Sequence, residues 1–507
     1  MRGNVVMLAV LILMALVGNC ALAAAATLVV DDDGFASATD CNALTPTFMT
    51  ISAAVLAANP GDTIKVCPGV YNEQVFIGTN SMMQTLNNLK LVGAQAGVDA
   101  RTRPFVVANE SIIQHPCGPV QIAADNVTLD GFTIQGSTLD PTVFSMCFGA
   151  GIWTNPGFSG TNGGHQILNN IVQNNISGIE LDSNCLNPTL VQFNLIQNNN
   201  NAGAGSGNGI QTSFGLCNAT IDRNKSSGHL NASMLLNTAQ SSLAISNNQL
   251  VGGTPERIFL ANTTMSSITG NVSIGSTSSG TIHLFGGDSN ITINGNTLFN
   301  GMRGIFVDDP FAVGPNSGVQ AHFNCIQGNS IAGLEVGSGG HSGILNAEND
   351  WWGSPSGPMS PSNPGGTGDR IVDPDGVVDF IPFLKGCPTG ATAPRMVTGG
   401  GQVNVPGGRG SFGFSAKQDT QSGHLDYMNH VTRAHLNCTV NVVTFISATE
   451  AQLSGPCSSD SAAPNFMADV QDNAKQGKNA DKFMITYGTH VDEGGPGPIV
   501  SGNIEIK

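Results

Sequence analysis

Charge is what this sequence has least of. Only 11% of its 507 residues are Asp, Glu, Lys or Arg, against about a quarter in an ordinary globular chain. The 19 Lys and Arg are outnumbered by 35 Asp and Glu, a formal net charge of −16. That balance argues against nucleic acid and anionic lipid as partners. No Cys-x-x-Cys occurs, so a zinc ribbon or dithiol redox site lacks its basic spacing. Beyond the N-terminus no apolar run is long enough to span a bilayer. The 65 glycines show no Gly-X-Y period, which excludes collagen. Ala, Leu, Glu and Lys are too thin beyond residue 60 for a helical protein. What is there is Gly, Asn, Ser and Thr punctuated by Val, Ile and Leu, the composition of an all-β chain with many turns.

The chain opens with Met1-Arg2, an apolar run from Val5 to Val17 and small residues from Ala21 to Ala26, the pattern of a secretory signal peptide over residues 1–26. A secreted protein, extracellular or periplasmic, is expected. Cys20 leaves with that peptide. Ten cysteines remain, an even number that reads as disulfides in an exported chain. Spacing alone does not fix the connectivity. Pairing in sequence order is the simplest assignment: Cys41–Cys67, Cys117–Cys147, Cys185–Cys217, Cys325–Cys387 and Cys438–Cys457.

The middle of the chain repeats itself. Ile167-Leu-Asn-Asn170-Ile-Val, Val191-Gln-Phe-Asn194-Leu-Ile, Ile245-Ser-Asn-Asn248-Gln-Leu and Ile293-Asn-Gly-Asn296-Thr-Leu are variants of one unit. The aligned Asn stand at 170, 194, 224, 248, 271, 296, 324 and 349, a period in the mid-twenties that means a solenoid. Each unit carries a further strand such as Gly178-Ile-Glu-Leu181 or Gly304-Ile-Phe-Val307, with alternation that buries the aliphatic side chains. Stacked coils of this kind form a right-handed parallel β-helix. The Asn are expected to take the left-handed backbone of the bends and to bond one above another as a ladder. Upstream, Phe48–Ala58 has helical apolar spacing and is expected to cap the open end of the core.

The order Asp62-Thr-Ile-Lys-Val66, Gly69-Val-Tyr71-Asn-Glu73, Leu89–Gly93 and Val127-Thr-Leu-Asp130-Gly-Phe-Thr-Ile134 resembles secreted right-handed β-helix proteins of the pectin-lyase-like superfamily. NosD-like and carbohydrate-binding/sugar-hydrolysis groups are included, and pectin methylesterases share the opening. The resemblance runs over residues 27–388 and closes at Asn349-Asp-Trp-Trp-Gly353, which ends the helix in such proteins. It implies fold firmly and chemistry weakly. Residues 389–395 read as a linker. Separate alternating strands over residues 396–507 then predict a small antiparallel β-sandwich or barrel.

Candidate chemistry lies on the outward face of the further strand, read coil by coil as Glu180, Gln211, Asn231, Phe259, His283, Phe306 and Glu335. Asp308-Asp309-Pro310 resembles the Asp-Pro-His motif of alginate epimerases, with Phe311 in place of the His. If neighbouring coils align, His283 lies one coil from Asp308 and Asp309, and a His–Asp pair can do acid–base work. Glu180 and Asp182 point to one side of their strand and could bind Ca²⁺ with a further acid. Glu335 and Arg303 complete a polar face suited to polysaccharide. Trp351-Trp352 could stack on sugar, but the closing position favours packing. Two function classes follow: a protein that binds or processes polysaccharide as a lyase or hydrolase would, and a non-enzymatic surface or matrix protein.

Overall fold

The computed structural model describes residues 25–32, 41, 48–145, 147–154, 162–251, 255–387, 395–417, 422–447, 449–459, 465–475, 478–487, 490–493 and 498–507. The expected signal peptide and most of the expected linker lie outside these residues.

Each coil lays one short strand on each of three parallel sheets. Gln166–Leu168, Ile171–Gln173 and Ser177–Glu180 make one such coil, and the three sheets hold 15, 10 and 12 strands. Register is exact from coil to coil because aliphatic side chains superpose. In the first sheet Ile167 pairs with Val191, Val191 with Ile221, Ile221 with Ile245 and Ile245 with Ile268. All five are buried in one continuous core. A slip of one residue would turn every one of them out to water. The architecture is a parallel β-helix.

The corner between the first and second sheets is where the aligned Asn stand, and the structure divides the work differently from the expectation. The left-handed residue is the one before each ladder Asn: Asn169, Phe193, Arg223, Asn247, Gly270, Gly295 and Phe323 all have positive φ. The ladder Asn themselves are buried and bond along the axis. Asn224 Oδ1 accepts from the Asn194 backbone N–H at 3.0 Å and from Asn194 Nδ2 at 2.9 Å, while Asn224 Nδ2 donates to Val191 O at 2.8 Å and to Asn248 Oδ1 at 3.1 Å. The last rung is Asp350, which accepts from Asn324 at 2.7 and 3.0 Å; Asn349 takes the left-handed position before it, with φ 61°. A second, shorter ladder at the next corner joins Asn175 to Asn199.

Coiling does not stop at Trp351-Trp352. Trp352 is fully buried against the last complete coil, but Gly368–Val372 and Val378–Asp379 still pair in parallel on the coil before them. At the other end the helix Ile51–Ala57 covers the core with Ile51, Ala54 and Val55. Thr50 caps it through Ala53 N at 3.2 Å. Glu73, from the Gly-x-Tyr-x-Glu stretch, accepts the backbone N–H of Ile51 and Ser52, each at 2.8 Å. Two charge-assisted bonds to a helix start should make E73A cost about 1–3 kcal/mol. Chemical denaturation of the two proteins checks this.

Met396–Val405 onward forms a ten-stranded antiparallel sheet that nearly closes on itself as a barrel. Its interior is aromatic: Phe412 stacks on Phe483 with ring centroids 4.0 Å apart. The disulfides are Cys41–Cys67, Cys117–Cys147, Cys185–Cys217, Cys325–Cys387 and Cys438–Cys457, the sequential pairing. Among the described residues no helix is long and apolar enough to cross a membrane.

Candidate functional site

The outward row of the third sheet runs Gln121, Trp153, Glu180, Gln211, Leu235, Phe259, His283, Phe306 and Glu335. Leu235 holds the place expected for Asn231, because the strand there is Ala232–Leu236. Adjacent members sit one strand spacing, about 4.8 Å, apart. The candidate residues therefore fall into two places. From Glu180 to His283 is four coils, roughly 19 Å.

The upper place is built around His283. Nε2 faces Asp308 at 2.9 Å and Nδ1 faces Glu256 at 3.1 Å. The ring stacks on Phe306 at 4.6 Å and meets the edges of Phe259 and Phe285. Its side chain is 4% exposed. Burial opposes the charge, but the hydrogen bonds and charges of Asp308 and Glu256 overcome it and raise the His283 pKa to about 9. At neutral pH this is an imidazolium with both nitrogens donating, so neither is open to a substrate proton. Asp309 does not join the pair; its carboxylate accepts the N–H of Val313 at 2.8 Å and of Gly314 at 3.0 Å, closing a turn. Arg303 bonds Glu335 at 2.6 Å and lies over the Phe306 ring at 4.5 Å. Two cations, His283 and Arg303, thus close on three carboxylates, Glu256, Asp308 and Glu335, and the cluster reads as a brace across four coils.

The lower place is a groove of about 910 Å³ over Trp153, Glu180 and Gln211. One wall is Pro141, Ser145, Cys147 and Phe148, tied to the coil below by Cys117–Cys147. Phe148 packs on Trp153 with centroids 5.3 Å apart. The opposite wall is Ser213 and Phe214, just before Cys217 and its bond to Cys185. Asn208, Asn231 and Asn237 supply amides. Glu180 is the single carboxylate among the described lining residues, and no Lys, Arg or His is among them. Burial pushes the Glu180 carboxyl above its ordinary value, against the opposing hydrogen bonds from Ser213 and from Gln211 at 3.2 Å. Asp182 does not line the groove. Its Oδ1 accepts the backbone N–H of Ser213, Phe214 and Gly215 at 3.0, 2.9 and 3.1 Å, so this oxygen serves the backbone of the wall, while Glu180 lines the groove. Among the described residues no group of three or more His, Cys, Asp or Glu could hold a metal ion.

Trp153, Phe148 and Phe214 were not among the residues that the sequence pointed to. The signal for Trp153 is present: Gly151-Ile-Trp-Thr154 repeats the pattern of Gly178-Ile-Glu-Leu181, and the two strands pair in register. Anchoring the repeat on Asn170 placed its coil outside the period.

No family model matches the chain. No curated protein matches it either. Solved structures do. Pectate lyase Pel9A is 12% identical, with 73% of this chain and 81% of that one covered and a TM-score of 0.42. DFA-IIIase from Arthrobacter chlorophenolicus is 13% identical over 67% of this chain and 96% of its own, TM-score 0.33. A phiAB6 tailspike, solved with oligosaccharides of Acinetobacter baumannii surface polysaccharide, is 10% identical over 94% of this chain and 85% of its own, TM-score 0.28. The likeness is one of fold.

Proposed function

We propose that the Trp153–Glu180–Gln211 groove binds a glycan chain whose sugars carry no charge. The lining carries this reading. Trp153, Phe148 and Phe214 offer apolar ring surface to the C–H face of a sugar, while Glu180, Gln211 and the Asn amides bond its hydroxyls. Coil spacing matches an extended chain laid along the axis, one sugar to about one strand spacing. An acid-rich protein whose groove presents, among the described residues, a carboxyl and no cation is poorly suited to pectate or alginate. Hydrolysis by the common two-carboxylate route needs a second acid across the bond, and Asp182 is committed to backbone. Binding is the activity the geometry supports.

Calorimetric titration with soluble neutral glycans (dextran, galactomannan, xylan) and with polygalacturonate and alginate tests it. Neutral chains should bind and uronates should not. W153A should weaken the neutral complex about tenfold or more, the loss of one stacking contact of about 1.4 kcal/mol. Preference for uronates, or W153A binding as tightly as the native chain, overturns the proposal.

A further inference from the structure

Nothing in the groove's lining explains why its Ser213–Phe214 wall stands where it does; the explanation is underneath. We infer that Asp182 is the positioning residue of this groove, holding residues 213–215 so that Ser213 reaches Glu180 and Phe214 faces the ligand. The inference rests on the reading of the groove as the binding site.

Three consecutive backbone N–H groups, from Ser213, Phe214 and Gly215, converge on one Asp182 oxygen. Asp182 is itself fully buried and fixed from behind, its N–H donating to Thr154 Oγ1 at 2.8 Å and its carbonyl accepting from the same hydroxyl at 2.9 Å. The next residue repeats the tie. Ser183 N–H donates to Gly215 O at 3.0 Å and Ser183 Oγ to Cys217 O at 2.8 Å, beside the Cys185–Cys217 bridge. A buried carboxylate that accepts several N–H bonds is a strong clamp, since its loss would leave those donors unpaired in the interior. At the groove end of the same segment, Ser213 Oγ donates to Glu180. That bond favours the ionised form of Glu180, against burial and against the charge of Asp182. Around Glu180 stand Asp182, two residues beyond the end of its strand, Gln211 and Ser213 on the next coil and Trp153 on the coil before. Apart from its charge, felt by Glu180, Asp182 reaches the ligand face through Ser213 and Phe214. A role confined to stability would leave the ionisation of Glu180 where it is.

The test compares D182A with D182N in the full chain. Both remove the charge; only the amide oxygen of D182N can still accept the N–H groups. Intrinsic fluorescence is followed against pH, and the change abolished by E180Q is assigned to Glu180 through its neighbour Trp153. The midpoint in D182A should lie about half a unit or more above that in D182N, and S213A should reproduce the rise. In parallel, amide exchange at residues 213–215 should be faster in D182A than in D182N, a comparison that needs no optical signal. If D182A does not fold, D182N is compared with the native chain, and its weaker acceptor should still speed that exchange. Coincident midpoints, or unchanged exchange at residues 213–215, overturn the inference. Neutral glycan titrations of the same variants separate it from the reading beneath it. A shifted midpoint with no glycan bound by any variant retains Asp182 and removes the groove's ligand; binding intact with coincident midpoints does the reverse.

Discussion

Replacing Asn224 by leucine is expected to cost on the order of 3–5 kcal/mol, one of the largest losses available from a single side chain in this protein. The leucine would leave the Asn194 backbone N–H, the Asn194 amide and the Val191 carbonyl without the partners that Asn224 gives them. All three sit inside the corner, where water cannot replace the bonds. The neighbouring change gives the contrast. Arg223 holds φ of 51° with its side chain 49% exposed, so R223G should be nearly neutral or stabilise by about 0.5–1 kcal/mol through relief of backbone strain. Equilibrium unfolding of both variants checks the pair. Similar losses at 223 and 224 would mean that the corner is held by backbone shape and not by the amide ladder.

The second large effect is a dependence on pH. His283 has a folded pKa of about 9 against an ordinary 6.5, so folding takes up a proton on this ring. Its contribution is fully present below pH 6.5 and is lost as pH rises through about 9. A shift of this size corresponds to stability of roughly 3–4 kcal/mol across that window. In D308N one of the two carboxylates is neutral, the folded pKa falls, and the fall of stability between pH 6.5 and 9 should shrink by half or more. Guanidinium midpoints at pH 6, 7.5 and 9 for both proteins provide the comparison. Parallel curves would show that His283 is not charged in the native coil.

Much of this architecture was legible because a solenoid repeats its chemistry. A buried Asn at one corner of successive coils can be aligned by eye, and so can the aliphatic residue three places earlier. The offset of the left-handed residue was not legible. Phe193, Arg223 and Phe323 stand at that position, and none of them has a preference for positive φ that would mark it. Asn231 was misplaced for a related reason. Ser233 stands where Gly151, Gly178, Gly209, Gly304 and Gly333 mark the start of the apolar pattern in other coils, so the register point vanished. The pairing of His283 with Asp308 followed from coil alignment alone. The second partner Glu256, 27 residues back, and the clamp of Asp182 on a segment 31 to 33 residues ahead depend on loop lengths that vary between coils. Two acids spaced for a shared face said nothing of which would turn to the backbone.

Hydrogen exchange of the whole chain, with and without a saturating neutral oligosaccharide, tests the central claim most directly. Bound sugar should slow exchange in residues 147–154 and 203–215, the floor and walls of the groove, and leave the His283 brace and residues 396–507 unchanged. Protection confined to the C-terminal barrel, or to the coils around His283, would place the ligand elsewhere and contradict the account.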